Sequence, residues 1–124
     1  MQLITLEELK KKFEQGDNFK LVMTMSELAF QASHIPGSLN ISKFEDVSIK
    51  LNKEDDIVVY CSDEAYIASQ AVYHYLQEKG YQHVRRFAGG LSAWAEAGYK
   101  LEGTFAQKCF QTILYPETFT KVSP

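Results

Sequence analysis

The stretch that decides the fold is Ile57-Val58-Val59-Tyr60-Cys61, a short apolar run of largely β-branched residues that ends at a cysteine. A run of this length and composition is typical of a central strand in a parallel sheet, which is buried on both faces. A polar segment follows it, and Ser69 then caps a helical pattern that extends to about Lys79. Residues 57–79 therefore predict a strand, a loop and a helix that covers the sheet.

Strand and helix signals alternate on both sides of this unit. Thr5 and Glu8 form a capping-box pattern that predicts a helix over 6–14, and Leu3-Ile4 predict a short strand before it. Further strands are predicted at 19–24, 38–41 and 84–87, and further helices at 26–30, at 43–51 and from Gly89-Gly90 to Glu96. This alternation predicts an α/β fold with a central parallel sheet flanked by helices.

Length and composition indicate one globular domain. The chain has 124 residues, of which 45% are hydrophobic and 23% charged, and its formal net charge is −3. The densest basic run, Lys10–Lys12, is interpreted as a solvated helix face, so no nucleic-acid partner is expected. No signal peptide and no apolar run of membrane-spanning length is present, so we expect a cytoplasmic protein without a membrane partner.

From about residue 104 onward, the sequence fits the alternation of strands and helices less well. We predict a domain over 1–103 and a C-terminal extension over 104–124. The apolar side chains of the extension are expected to pack on the domain or on a partner subunit, and the second case would make the protein a homodimer. Cys109 lies in this extension and is interpreted as a packing residue. The alternative is a resolving thiol that attacks a persulfide on Cys61.

Cys61 stands where α/β proteins bind ligands, beyond the carboxyl end of a parallel strand. The N-terminus of the following helix offers unpaired N–H groups and a positive dipole end, which stabilise a thiolate or a persulfide anion. Its position alone leaves two interpretations open: a nucleophile, or a buried cysteine that acts as a small hydrophobic residue.

Three ordered motifs resemble the rhodanese-like domain family over about residues 3–103. Residues 30–41 (FQASHIPGSLNI) resemble its F-x-x-x-H-I-P-G-[AS] signature, residues 84–94 (VRRFAGGLSAW) contain its G-G-x-x-x-W core, and residues 58–61 (VVYC) match its catalytic strand. The resemblance implies a three-layer α/β fold without a cofactor. It also implies that Cys61 takes a sulfane sulfur from a small donor, a persulfide or thiosulfate, and passes it to a thiol acceptor.

The resemblance further implies that backbone N–H groups of the loop after Cys61 cradle the transferred sulfur. That loop and its junction with the next helix comprise Ser62, Asp63, Glu64, Ala65, Tyr66, Ile67, Ala68 and Ser69. It is about two residues longer than in many active members and contains two carboxylates and no arginine. Like-charge repulsion from these carboxylates would oppose thiosulfate. Related phosphatases bind phosphate with an arginine six residues after the cysteine. Ile67 stands at that position here and provides no cation, which argues against a phosphatase.

A second departure from the family pattern is Met23 and Met25, which stand where the family usually carries Asp and Arg. We interpret both methionines as apolar packing residues. Two functions remain open: a sulfurtransferase that uses Cys61, or a catalytically weak or inactive binding or regulatory module that senses redox state.

Other candidate residues receive structural interpretations. His34 is interpreted as a histidine hydrogen-bonded beside a Pro-Gly turn rather than as a base or metal ligand, and no metal site is predicted. Arg85 and Arg86 are interpreted as solvent-exposed charges; the alternative is that one of them compensates for the acidic loop. Trp94 is assigned to the core, and Gly89-Gly90 to a tight turn near the Cys61 loop.

Overall fold

A four-stranded parallel sheet forms the centre of the protein. The computed structural model describes residues 1–63 and 67–104. In that part of the chain the strands are β1 (Lys20–Met23), β2 (Leu39–Asn40), β3 (Asp56–Tyr60) and β4 (His83–Phe87), in the order β2-β1-β3-β4. All three pairings are parallel. The helices are α1 (Leu6–Gln15), α2 (Glu27–Ala32), α3 (Val47–Lys50), α4 (Ala68–Glu78) and α5 (Gly90–Glu96), with a 3-10 turn at Phe44–Asp46.

Helices cover both faces of the sheet, so the predicted three-layer α/β fold is confirmed. Successive strand side chains point to opposite faces. One face packs against α1 and α5, and its core includes Leu9, Leu21, Met23, Val58, Tyr60, Phe87, Leu91 and Trp94. The other face packs against α3 and α4, and its core includes Val22, Val47, Ile57, Val59, Val72, Tyr73, Leu76 and Val84. Both layers exclude water from the central strands, which explains the continuous apolar sequence of β3.

The predicted capping box at the start of α1 is confirmed. The Glu8 N–H donates to Thr5 Oγ1 at 3.1 Å, and the Thr5 N–H donates to Glu8 Oε1 at 2.9 Å. This backbone hydrogen bond from Thr5 lowers the pKa of the Glu8 carboxyl. The helix ends at Gly16, whose φ of 70° is the left-handed conformation that glycine adopts at helix ends.

The strand order creates a crevice at the carboxyl edge of the sheet. The chain leaves β1 toward β2 on one side and leaves β3 toward β4 on the other, so β1 and β3 flank a topological switch point. Ligands of open parallel sheets bind at such points. Cys61 follows β3 directly and therefore lies at this edge.

Two local predictions are wrong. Leu3-Ile4 form no strand of the sheet: Leu3 makes one isolated parallel bridge to Arg86, because the chain turns into α1 at Thr5. Ser69 is not the N-cap of α4, which is Ile67; Ser69 lies inside the first turn, where its hydroxyl accepts a hydrogen bond from Arg86.

The C-terminal extension predicted at 104–124, together with Cys109, falls outside the described residues from 105 onward, and the domain limits stay a prediction. In residues 1–63 and 67–104, no helix is both long and apolar enough to cross a membrane.

Candidate functional site

Cys61 lies buried between the end of β3 and the start of α5. The residue is 2% exposed. Its carbonyl oxygen accepts a hydrogen bond from the Leu91 N–H at 2.9 Å, and the next carbonyl, of Ser62, accepts one from the Ser92 N–H at 2.8 Å. The first turn of α5 therefore holds the first two peptide groups of the loop in place, using N–H groups that a helix start leaves unpaired.

Gly90 makes this close approach possible. Its φ of 63° is left-handed, and a Cβ built on it would lie 2.4 Å from the Cys61 carbonyl oxygen. Any larger residue would force the helix away from the loop. The predicted role of Gly89-Gly90, a tight turn beside the Cys61 loop, is confirmed. Trp94 of the same helix is 4% exposed and donates from Nε1 to the Lys100 carbonyl oxygen at 2.8 Å, so its core assignment is also confirmed.

The loop after Cys61 is described at its two ends. Ser62 and Asp63 continue from Cys61, and the structure resumes at Ile67; the predicted loop residues Glu64, Ala65 and Tyr66 lie outside the described part. Ile67 is the N-cap of α4 and makes no side-chain capping hydrogen bond. An apolar N-cap leaves the first N–H groups of α4 without a side-chain acceptor from that position, which favours an anion at the helix start.

Thr24 fixes the end of the cysteine-bearing strand from the other side. Its N–H and its Oγ1 both donate to the Tyr60 carbonyl oxygen, at 3.0 and 3.2 Å. Thr24 was not among the residues predicted from the sequence; its signal there is a hydroxyl side chain directly after a buried strand. The neighbouring Met23 is 1% exposed and packs in the core, and Met25 packs partly buried against it, which confirms both as apolar packing residues.

The Tyr60 side chain connects the cysteine strand to the His-Ile-Pro-Gly turn. Its hydroxyl oxygen accepts a hydrogen bond from the buried Ile35 N–H at 3.0 Å and lies 2.9 Å from Ser38 Oγ, which donates to the Ile35 carbonyl oxygen. Burial raises the pKa of Tyr60 to about 12. The His-Ile-Pro-Gly turn of the first motif thus supports the strand that ends at Cys61.

His34 has the structural role that the sequence predicts. Its Nδ1 lies 2.7 Å from the Phe30 carbonyl oxygen, and its ring stacks on Phe30 at a centroid distance of 3.9 Å. The His34 N–H donates to the Glu102 carbonyl oxygen at 2.8 Å. Within the described ranges, no group of three or more His, Cys, Asp or Glu residues is arranged to hold a metal ion.

Arg85 and Arg86 differ sharply, and the prediction that both are solvent-exposed is wrong for Arg86. Arg85 is 30% exposed and forms an ion pair with Asp56 at 3.5 Å. Arg86 is 5% exposed, and its Nε donates to Ser69 Oγ at 2.8 Å. The alternation of β4 explains the difference, because Arg86 shares the face of Val84 that α4 covers.

A cavity of about 380 Å³ opens beside the first turn of α4. Its wall includes Thr24 at the end of β1, Lys43 and Phe44 before α3, and Ala68 and Val72 of α4. The cavity therefore lies on the carboxyl edge of the sheet, on the α4 side.

Comparison with known proteins supports one family. The rhodanese-like domain model matches residues 5–97. The thiosulfate sulfurtransferase GlpE of Coxiella burnetii is 34% identical over 68 residues, which cover 53% of this chain and 62% of that relative, so the match spans less than two thirds of the curated protein.

Solved structures agree on the fold. The rhodanese-like domain of Alr3790 from Anabaena superposes with a TM-score of 0.74 at 29% identity, covering 84% of this chain and 80% of that one. The BH2092 protein of Bacillus halodurans superposes with a TM-score of 0.79 at 23% identity, covering 86% and 80%. From the match over residues 5–97 and the shared fold, the chain belongs to the rhodanese-like domain family.

Proposed function

We propose that the protein is a sulfurtransferase that carries a sulfane sulfur as a persulfide on Cys61. The observation that supports this most strongly is the place of Cys61, at the switch-point edge of the sheet and directly before the loop that leads to the start of α4. The activity named for the Coxiella relative supports the same reaction class.

The reaction balances without an added oxidant or reductant. The Cys61 thiolate attacks the outer sulfur of a donor; with thiosulfate, the S–S bond breaks, sulfite leaves with the bonding electron pair, and Cys61 becomes a persulfide anion. With a low-molecular-weight persulfide, a thiolate is the leaving group. An acceptor thiolate then attacks the outer sulfur and releases the Cys61 thiolate.

The surrounding backbone holds the reacting residue in a fixed geometry. The α5 N–H groups bind the Cys61 and Ser62 carbonyls, and Thr24 binds the Tyr60 carbonyl on the other side. These hydrogen bonds fix the peptide groups on both sides of Cys61 before the reaction begins, and their donors are occupied by carbonyl oxygens. The loop amides and the start of α4 would then receive the negative charge that builds on sulfur. No cofactor takes part in these steps, and a cytoplasmic location would keep the thiol reduced.

The second candidate is a regulatory module that senses redox state. Two observations favour it: Cys61 is 2% exposed, and the loop carries Asp63 and Glu64. A buried thiol in an acidic surrounding reacts slowly with anionic donors.

Intact-mass measurement separates the two functions. The protein is incubated with thiosulfate and, separately, with glutathione persulfide, alongside Cys61→Ser and Cys109→Ser variants. We expect one added sulfur in the wild type and in Cys109→Ser, and none in Cys61→Ser. Loss of the added sulfur on treatment with a thiol would demonstrate transfer. An unchanged mass with both donors would contradict the sulfurtransferase proposal and favour the regulatory module.

A further inference from the structure

The three lysines of the basic run in α1 have different surroundings. Lys11 is exposed, and Lys12 forms an ion pair with Asp56. Lys10 is half-buried, and its Nζ lies 4.7 Å from the centroid of the Tyr99 ring, in a cation–π contact. In the described part of the chain, no carboxylate forms an ion pair with Lys10. Its charge is therefore available to an anion that approaches this side of the protein.

A cavity of about 360 Å³ opens beside Lys10, between α1 and the end of α5. Three aromatic side chains form one wall: the Trp94 ring centroid lies 5.4 Å from that of Phe13 and 4.9 Å from that of Tyr99. The other lining residues are Lys10, Pro36, Gly98 and Lys100. Among the described residues, the charged groups that line the cavity are thus two lysines and no carboxylate.

Hydrogen bonds across the end of α5 fix the shape of this cavity. Trp94 Nε1 donates to the Lys100 carbonyl oxygen at 2.8 Å, and the Tyr99 N–H donates to the Trp94 carbonyl oxygen at 3.3 Å. Gly98 turns the chain with a φ of 84°, and a Cβ built on it would meet no atom within 4 Å. The walls are therefore in place before a ligand binds, which lowers the entropic cost of binding.

The composition of the cavity indicates the chemistry of its ligand. Small-molecule sites are clefts of roughly 300–1,000 Å³ with apolar and aromatic walls and a few polar groups. Aromatic side chains favour a planar ring, which they contact edge-to-face or by offset stacking. Two ammonium groups without a carboxylate beside them favour an anionic substituent on that ring. The chain has a net charge of −3 and no general attraction for anions, so such a preference has to come from these lysines.

We propose that this cavity binds a small aromatic anion, a planar ring that carries a carboxylate. The ring contacts Trp94 and Tyr99, and the carboxylate faces Lys10 and Lys100. The helix α5 begins beside Cys61 and ends at the cavity, so the ligand site and the cysteine lie at opposite edges of the sheet. The proposal therefore depends neither on the sulfurtransferase function nor on the loop after Cys61.

The competing explanation is that the aromatic side chains only complete the core and that both lysines are solvated. Two probes distinguish the explanations: naphthylacetate and naphthylacetamide have the same ring and nearly the same size, and they differ in charge. The chain has one tryptophan, so the Trp94 indole N–H gives a single signal in a nitrogen–proton correlation spectrum. Titration of the full chain with each probe gives a Kd and shows whether the probe reaches the cavity.

We expect naphthylacetate to shift the Trp94 indole signal and to bind more tightly than naphthylacetamide. Lys10→Gln should raise the Kd of naphthylacetate roughly five-fold, the effect of one charge about 4 Å away in water, and leave the Kd of naphthylacetamide unchanged. Lys11→Gln is the matched control, because it removes the same charge from the neighbouring exposed position of α1. It should leave both Kd values unchanged.

Two further variants separate the charge of the site from its aromatic wall. Lys100→Gln should weaken naphthylacetate alone, whereas Tyr99→Leu should weaken both probes. A Trp94 signal that does not move with naphthylacetate would overturn the proposal. Equal Kd values for the two probes, or an equal effect of Lys10→Gln and Lys11→Gln, would overturn it too. These results are independent of sulfur loading on Cys61, which tests the proposed function separately.

Discussion

Removing the Tyr60 hydroxyl tests whether the His-Ile-Pro-Gly turn supports the cysteine strand. Tyr60→Phe keeps the ring, which is fully buried, and creates almost no cavity. It removes the acceptor of the Ile35 N–H, which is 3.0 Å away in a residue that is 0% exposed. A buried donor left without a partner costs roughly 1–3 kcal/mol, so we expect the free energy of unfolding to fall by about 2 kcal/mol at pH 7.

The same variant predicts a pH dependence whose sign follows from the raised pKa. Between the unfolded value of 10.0 and the folded value of about 12, the unfolded chain releases the Tyr60 proton and the folded chain keeps it. The stability that the buried, protonated Tyr60 hydroxyl contributes is therefore fully present below pH 10 and is lost as pH rises toward 12. The loss amounts to roughly 1.4 kcal/mol at pH 11, so the stability difference between wild type and Tyr60→Phe should shrink from about 2 to about 0.6 kcal/mol there.

Urea unfolding monitored by circular dichroism from pH 7 to pH 11 measures both effects. Tyr73→Phe is a suitable control, because the Tyr73 hydroxyl accepts from the Gln2 N–H near the exposed N-terminus, and its loss should cost less than about 1 kcal/mol. A Tyr60→Phe protein within about 0.5 kcal/mol of wild type at pH 7 would refute the argument that the hydroxyl holds the turn. So would a stability difference that stays constant up to pH 11.

Three further outcomes are expected. Gly90→Ala should lower the free energy of unfolding by more than about 2 kcal/mol and abolish sulfur loading, because its Cβ would lie 2.4 Å from the Cys61 carbonyl oxygen. The control Gly98→Ala, also at positive φ but with nothing within 4 Å, should cost only about 1 kcal/mol, and equal losses in chemical denaturation would contradict this. Thr5→Ala should cost about 1 kcal/mol through loss of the capping box, and an unchanged melting temperature in calorimetry would count against it. Truncation before Phe105 should change size-exclusion behaviour or solubility if the extension covers apolar surface or forms a dimer, and a stable protein of unchanged behaviour would exclude both.

The elements that the sequence predicted well are those with a local cause. The capping box at Thr5 and the apolar run of β3 each depend on residues within a few positions of one another. The ordered motifs around Cys61 identified the family because they combine local turn and strand chemistry at three places in the chain. Periodicity and capping patterns record such short-range physics directly.

The features that the sequence did not predict depend on contacts between distant elements. Serine is a residue type that favours N-caps, but the Ser69 hydroxyl accepts a hydrogen bond from Arg86, 17 residues away, and the N-cap is Ile67, with the helix beginning at Ala68. Arg85 and Arg86 are the same residue type, and only the alternation of β4 and the cover of α4 decide that Arg85 is partly exposed and Arg86 buried.

The sequence by itself therefore determined the family, the order of strands and helices along the chain, and the place of Cys61 at a strand end. The tertiary structure alone decided which carbonyls α5 and Thr24 bind and which of the two arginines is buried against α4. The physical reason is that packing between elements sets burial, hydrogen-bond partners and charge compensation. The order of residues along the chain does not give the distances between those elements.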